Sequence, residues 1–299
     1  MRFIKNYMDD SSLRQELNDL TQETFGFDFE SWVTNGYYEG DYIPYSFEED
    51  GRLIANVSVN RMEFIQNGQE KLYIQLGTVM TREGCRKQGY ARKLMEKVMA
   101  EYAGKCDGLY LFANLDALEF YEKMGFSKGV QYRYTLENDV KLELQEKASK
   151  QDAAQSFKQV NPTDEFHKVN YMEAVRHSAV NSALEQKNKY GLQMFYTSGM
   201  EQVYYCAKLD CYVIMEEQDN TLYLQSVICK KKVSLEDVLS LIPGEYTSII
   251  LGFTPCMEDA HLFESQIYDG EDDYRLFFYG EELKKMESEK LYFPEFSHA

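Results

Sequence analysis

Arg86-Lys87-Gln88-Gly89-Tyr90-Ala91, followed at once by Arg92 and Lys93, is the stretch of this chain whose residue types and spacing could do chemistry. It lies between an apolar run ending in Val79-Met80-Thr81 and an amphipathic stretch, 89–102, with Leu94, Met95, Val98 and Met99 on one helical face. The first N–H groups of such a helix have no intrahelical partner, and the macrodipole adds about half a positive charge there. Gly89 lets a ligand approach the backbone, and Ala91 keeps the next turn slim. A helix start normally favours acids, so four cations there ask for an anion, and a pyrophosphate fits. The pattern is neither G-x-x-x-x-G-K-[ST] nor G-x-G-x-x-G. An ordinary strand–turn–helix with a solvated basic first turn accounts for it equally well.

The surrounding pattern says what must position this turn. A helix is predicted over 11–24, capped by Ser11 or Ser12, with Leu13, Leu17 and Leu20 on one face. A Tyr- and acid-rich loop, 36–45, precedes a hairpin of strands 46–49 and 53–64 around Asp50-Gly51. Strand 71–80, helix 89–102, strand 109–113, helix 116–124 and strand 131–136 follow. Residues 137–160 are charged and polar, a linker or surface helix, and place a boundary between units 1–137 and 161–299. In the second unit, helix 173–187, strands 202–209, 211–216 and 221–229, helix 234–241 and strand 248–253 repeat the order of the first half as a weak echo.

A second motif stands about 25 residues downstream of the first, after a strand: Asn114-Leu115-Asp116-Ala117-Leu118-Glu119-Phe120-Tyr121-Glu122-Lys123-Met124-Gly125-Phe126. It is similar to the N-x-x-A-x-x-F-Y-E-K-x-G-F segment of GCN5-related N-acetyltransferases (GNAT). Arg86-x-x-Gly89-x-Ala91 resembles that family's [Q/R]-x-x-G-x-[G/A] turn. The resemblance covers roughly 1–137 well and the rest in outline. It implies a mixed α+β (α/β) GNAT fold: a central, mostly antiparallel, splayed sheet flanked by helices, then a second, degenerate GNAT-like α/β domain.

The resemblance also implies roles. The cleft strand ends at Val79, Met80 and Thr81, where the backbone of Val79 and Thr81 would bind pantetheine and one N–H would meet the thioester carbonyl. The amides from Arg86 through Lys87, Gln88, Gly89, Tyr90 and Ala91 to Arg92 would hold the pyrophosphate. Asn114 and Ala117 would line the far side of the channel. Tyr121 would be the general acid beside the leaving sulfur, although a helical Tyr beside Phe120 also reads as core. No general base is visible. Glu39 and Asp41 lie where such folds build the acceptor pocket, with Tyr37, Tyr38, Tyr42 and Tyr45 as aromatic faces, or they are a solvated acidic loop. Tyr73 and Gln75 share a face with Gly77 and Val79 if the strand is regular.

In the second half, 222–228 corresponds to the cleft strand but leads into Cys229-Lys230-Lys231-Lys232-Val233-Ser234, with no Gly. That half is expected to bind no CoA and to cover the cleft or shape the acceptor pocket. The aromatic tail 293–299 offers His298 or the terminal carboxylate as a base, or is a frayed end.

The function expected is therefore N-acetyl transfer from acetyl-CoA, as co-substrate, to a primary amine of a small molecule or peptide. The alternative is an acyl-CoA sensor or interaction module of the same fold. A net charge of −18 disfavours nucleic acid and mildly favours a cationic acceptor. The six cysteines form no C-x-x-C pair and the four histidines are scattered, so no metal is expected. The longest apolar run, 248–253, is far below the roughly 20 residues of a membrane span. A cytoplasmic monomer or homodimer, without membrane contact, is the expectation.

Overall fold

A computed structural model describes residues 1–147, 155–271 and 273–298. Two mixed sheets flanked by helices make up the fold. The first runs, in spatial order, Arg2–Lys5, Tyr42–Glu49, Arg52–Gln66, Gln69–Thr81, Gly108–Asn114, Tyr274–Tyr279 and Ser127–Lys128. Leu184–Gln186 pairs with the far end of Arg52–Gln66. The second runs Lys158–Gln159, Val203–Cys206, Cys211–Gln218, Thr221–Cys229, Ser248–Leu251, Gln131–Glu137 and Glu264–Tyr268.

The two orders are the same pattern, with a reciprocal exchange. Gln131–Glu137, which the sequence suggested as the last strand of the first half, lies in the second sheet, antiparallel to both Ser248–Leu251 and Glu264–Tyr268. Its place in the first sheet is taken by Tyr274–Tyr279, antiparallel to both Gly108–Asn114 and Ser127–Lys128. Local pattern sets that a segment is a strand, and only tertiary pairing sets which sheet receives it. The apolar clusters follow the exchange. One unites Leu17, Trp32 and Tyr42 with Tyr171, Met194 and Ile214, and another unites Met62, Tyr73 and Tyr110 with Leu184, Leu276 and Phe293.

Several helix bounds differ from the pattern reading, each for a local reason. The first helix, Ser11–Phe25, is capped by Asp10, whose carboxylate accepts from Ser12 N and Leu13 N. Gly26 ends it at φ 81°, a left-handed position that suits Gly. The helix expected at 173–187 is Glu165–Arg176, started by Asp164 in the same way, and Leu184–Gln186 is a strand. Asn138–Lys147 is helical. No helix among the described residues is long and apolar enough to cross a membrane.

Candidate functional site

The strand Gln69–Thr81 pairs in parallel with Gly108–Asn114 only over Tyr73–Gln75 and Gly108–Tyr110. Beyond that the two diverge. A bulge drives the divergence: the register with Arg52–Gln66 shifts between Asn56 and Ser58, and Thr78 sits at φ 41°. A β-branched residue in left-handed backbone is strained, so something must hold it. Thr78 Oγ1 and Tyr42 Oη lie 2.8 Å apart, and Asn56 Nδ2 donates to the Thr78 carbonyl at 2.9 Å. Ser58 Oγ donates to Tyr42 Oη at 2.6 Å, Asn56 Nδ2 to Ser58 Oγ at 2.8 Å, and Ser46 Oγ to Asn56 Oδ1 at 2.8 Å. Ser46 thereby spends its proton, so Tyr7 Oη donates to Ser46 Oγ, at 2.6 Å. This buried chain locks the bulge.

The bulge also corrects the expected facing. Met80, opposite Asn56, joins the face of Gly77, whereas Val79 packs against the cluster beneath the helix Tyr90–Tyr102. The opening thus formed is a cleft of about 250 Å³. Gly77, Thr78 and Val79 line one side, Phe112, Asn114, Ala117 and Tyr121 the other, and Phe25 and Phe27 cover it.

The turn that follows has Lys87 at φ 63° and Gly89 at φ 79°. Gly89 is the N-cap of Tyr90–Tyr102, which has no side-chain cap and no acid in its first turn. A Cβ on Gly89 would meet nothing within 4 Å, so its backbone faces open space. Arg86, Lys87, Gln88, Arg92 and Lys93 are exposed around it. Arg86 Nε donates to Thr81 O at 3.1 Å, tying the turn to the strand end. Uncapped amides, a dipole and four cations make an anion seat.

Tyr121, on Leu118–Lys123, is buried with its ring against Phe120, Phe126 and Phe277. Its ring is core and its side chain also lines the cleft. Burial pushes its phenol up to about 12, so it stays protonated throughout the physiological range.

Residues 10–126 match the family model described as "Acetyltransferase (GNAT) family". This stretch belongs to the GNAT family. The chain matches no curated protein. Its fold is similar to that of solved structures at low identity. A GCN5-related N-acetyltransferase from Kribbella flavida shares 14% identity, with 93% of this chain and 71% of that one covered at TM-score 0.55. A probable N-acyltransferase from Enterococcus faecalis shares 17%, with 95% and 73% covered at TM-score 0.55. Eis1 from Mycobacterium abscessus shares 13%, with 92% and 73% covered at TM-score 0.53.

Around the GNAT cleft the remaining sequence candidates fall differently. Glu39 is ion-paired to Arg176, whose guanidinium lies 3.4 Å over the Tyr190 ring. Asp41 shares a narrow pocket with Glu39, Asn60, Arg61 and Asn188. Burial raises its carboxyl above the usual range, opposed by a hydrogen bond with Asn188 and by the charge of Arg61. Neither carboxylate lines the cleft. Tyr37 and Tyr45 are buried; Tyr42 belongs to the polar chain, and Tyr38 Oη donates to the Tyr42 carbonyl at 3.0 Å. The expected cation cage at that loop is therefore packed core.

His298 is docked. Its ring stacks on Phe112 at 3.8 Å between centroids and stands edge-on to Tyr274 at 5.7 Å. Its carbonyl accepts a hydrogen bond from Tyr196 Oη. Burial pulls its imidazole below the usual 6.5, Glu295 opposing, and its buried Nε2 has no partner among the described residues. The terminal carboxylate lies outside the described residues.

The second half keeps the splay and loses the site. Thr221–Cys229 pairs with Ser248–Leu251 only up to Leu224, and its register also shifts, between Ile214 and Met215 on its neighbour. The gap is filled by the chain's own end: Glu295 N donates to Gly252 O at 2.8 Å, and Pro294 and Phe296 leave about 20 Å³ beside Gln225 and Ser226. The next helix, Leu235–Ser240, is capped by Ser234 and carries Glu236 and Asp237 in its first turn. That helix start satisfies itself and repels an anion. Among the described residues no group of His, Cys, Asp or Glu could hold a metal.

Phe112, Thr78 and its supporting chain, and the strand Tyr274–Tyr279 escaped the sequence reading. A Thr gives no local sign of positive φ, and Phe112 reads as ordinary strand core.

Proposed function

We propose that this acyltransferase moves an acetyl group from acetyl-CoA onto a primary amine by direct attack. The observation that carries the reading is the splayed cleft ending at an uncapped, cationic helix start. Pantetheine lies between Val79–Thr81 and Asn114–Ala117, and the pyrophosphate sits on the amides from Arg86 to Arg92. The amine lone pair attacks the thioester carbon, a C–N bond forms, the tetrahedral intermediate collapses, and the C–S bond breaks to leave a thiolate facing Tyr121. The ammonium proton goes to a base. His298, neutral and stacked on a wall of the cleft, is better placed than Glu39 or Asp41, both of which stand away from the cleft. The catalytic unit is the first sheet completed by Tyr274–Tyr279.

Calorimetry with acetyl-CoA tests the cofactor. Wild type should bind in the micromolar range. Gly89→Val should weaken binding at least a hundredfold, because a β-branched residue is strained at φ near 79° and its side chain enters the pyrophosphate seat. Equal affinities would remove the turn from its role. Binding without turnover on a broad amine panel would favour the sensor instead.

His298 gives a second prediction. A base must be neutral, and so must the amine, whose pKa is near 10.4 if lysine-like. With both required, log kcat/KM should rise with slope two below the His298 pKa, which lies under 6.5, and with slope one from there to the amine pKa. His298→Phe, which preserves stacking on Phe112, should show slope one throughout and a loss of ten- to a hundredfold. A break that persists in the variant would assign it to another group.

A further inference from the structure

The buried chain of hydrogen bonds behind the bulge runs in one direction, and it ends at the cleft. The Thr78 carbonyl sets the direction, because a carbonyl can only accept. The Asn56 atom 2.9 Å from it is therefore Nδ2, and the other amide atom, Oδ1, accepts from Ser46 Oγ. The second Nδ2 proton goes to Ser58 Oγ at 2.8 Å, and the Ser58 proton goes to Tyr42 Oη at 2.6 Å. Tyr42 then holds one proton and, among the described residues, one side-chain neighbour to take it, Thr78 Oγ1 at 2.8 Å. The reverse arrangement, Thr78 donating to Tyr42, would leave a buried phenolic proton without an acceptor, which is costly. Tyr42 therefore donates, and the proton of the Thr78 hydroxyl has no acceptor among the described residues.

Of this chain, Thr78 alone lines the cleft, on the side facing Asn114 and Tyr121. Tyr42, Ser46, Asn56 and Ser58 are buried, whereas Thr78 is partly exposed. A hydroxyl that already accepts from a phenol is a better donor than a free one, since hydrogen bonds in a chain polarise one another. The bond from Tyr42 holds the oxygen in place, and the locked backbone at φ 41° holds the residue. A donor fixed in advance, where the two strands part, is what a developing oxyanion needs.

We infer that the Thr78 hydroxyl is a catalytic donor to the thioester carbonyl oxygen, with Tyr42 as the positioning residue that sets its direction. This rests on the acetyl-transfer reading above and adds a group to it. As the amine lone pair forms the C–N bond, the carbonyl π pair moves onto oxygen. Thr78 donates a hydrogen bond to that oxygen and keeps its proton. Collapse returns the pair to the C=O bond, and the C–S pair leaves with sulfur. The two hydroxyls divide the charge, Thr78 at oxygen and Tyr121 at sulfur.

Thr78→Val keeps the β-branched shape and removes the donor. It should lower kcat about a hundredfold, the size of one lost oxyanion donor, with acetyl-CoA affinity within about threefold. Thr78→Ser restores the hydroxyl and should recover most of the loss, which a packing role for the methyl group would not. Tyr42→Phe leaves Thr78 its hydroxyl without a fixed direction and should lower kcat about tenfold, as for one lost hydrogen bond. Infrared spectroscopy of bound acetyl-CoA, isotope-labelled at the acetyl carbonyl, reads the contact without turnover and only in folded, liganded protein. The thioester C=O stretch should lie at lower frequency on wild type and Thr78→Ser than on Thr78→Val. A stretch that moves with Thr78 in a protein that acetylates no amine would leave the contact standing and sink the transfer reading. Acetylation with the same kcat and the same stretch in wild type and Thr78→Val would do the reverse. A fall in kcat with an unmoved stretch and no rescue by Thr78→Ser would make Thr78 a structural residue and overturn the assignment. Failure of wild type to bind acetyl-CoA overturns both.

Discussion

Tyr121→Phe is expected to lower kcat about a hundredfold, while acetyl-CoA affinity stays within about twofold and the melting temperature does not fall. The ring is what the fold uses: it packs against Phe120, Phe126 and Phe277, and Phe fills the same volume. The hydroxyl makes no hydrogen bond within the described protein, so deleting it breaks no contact of the fold. In the proposed mechanism the hydroxyl is the donor to the sulfur as the C–S bond breaks, an effect of roughly 10²–10⁴ for such groups. Its pKa sharpens the role. A phenol held near 12 does not surrender its proton at equilibrium to a thiolate of about 8.5. In the proposed mechanism Tyr121 therefore acts mainly as a hydrogen-bond donor to developing negative charge. It also stays protonated through pH 10, so no alkaline fall in kcat should be traceable to it. A variant kcat within threefold of wild type would remove Tyr121 from the mechanism.

The contrast between the two helix starts is why we assign the chemistry to one half only. Both halves build the same bulge and the same splay, which are properties of backbone pairing. At Gly89 the amides are uncapped and ringed by cations, whereas at Ser234 the hydroxyl accepts from Asp237 N and two acids follow. The second gap is filled by Pro294 and Phe296. The segment that fills it continues to His298, on Phe112 of the first cleft. The degenerate half thus anchors the residue that we propose as base for the active one.

How much of this was legible follows from range. The cationic turn and the Asn114–Phe126 pattern are local, so their residues announced the cleft: Val79, Asn114, Ala117 and Tyr121 do meet there. Glu39 and Asp41 misled because their partners are remote: Arg176 and Asn188 are more than 130 residues away in one case and nearly 150 in the other. Thr78 was invisible because the strain that it bears is imposed by Tyr42 and Asn56 from neighbouring strands. The tail looked frayed by position, yet Phe293 and Phe296 were a signal. Phe293 stacks on Tyr110 at 4.1 Å and Phe296 packs against Tyr196, which a solvated end would not do.

The strand exchange has the largest expected consequence. A fragment of residues 1–137 should fail to fold, despite containing the entire matched stretch. It would lack Tyr274–Tyr279, leaving Gly108–Asn114 and Ser127–Lys128 unpaired on the sides where that strand sits. It would also carry Gln131–Glu137 with no sheet to join. Leu276, Phe277, Leu291 and Phe293, all fully or almost fully buried, would be missing. At roughly 1.5–3 kcal/mol for each such side chain, their loss alone rivals a total stability of about 5–15 kcal/mol. The fragment should show no cooperative melt and no acetyl-CoA binding, and adding a synthetic peptide of residues 273–298 should restore part of both. A cooperative transition in the fragment alone, with acetyl-CoA affinity within tenfold of the full chain, would mean that the exchanged strand decorates the first sheet instead of completing it. The base that we assign to the tail, His298, would then have to be sought elsewhere around the cleft.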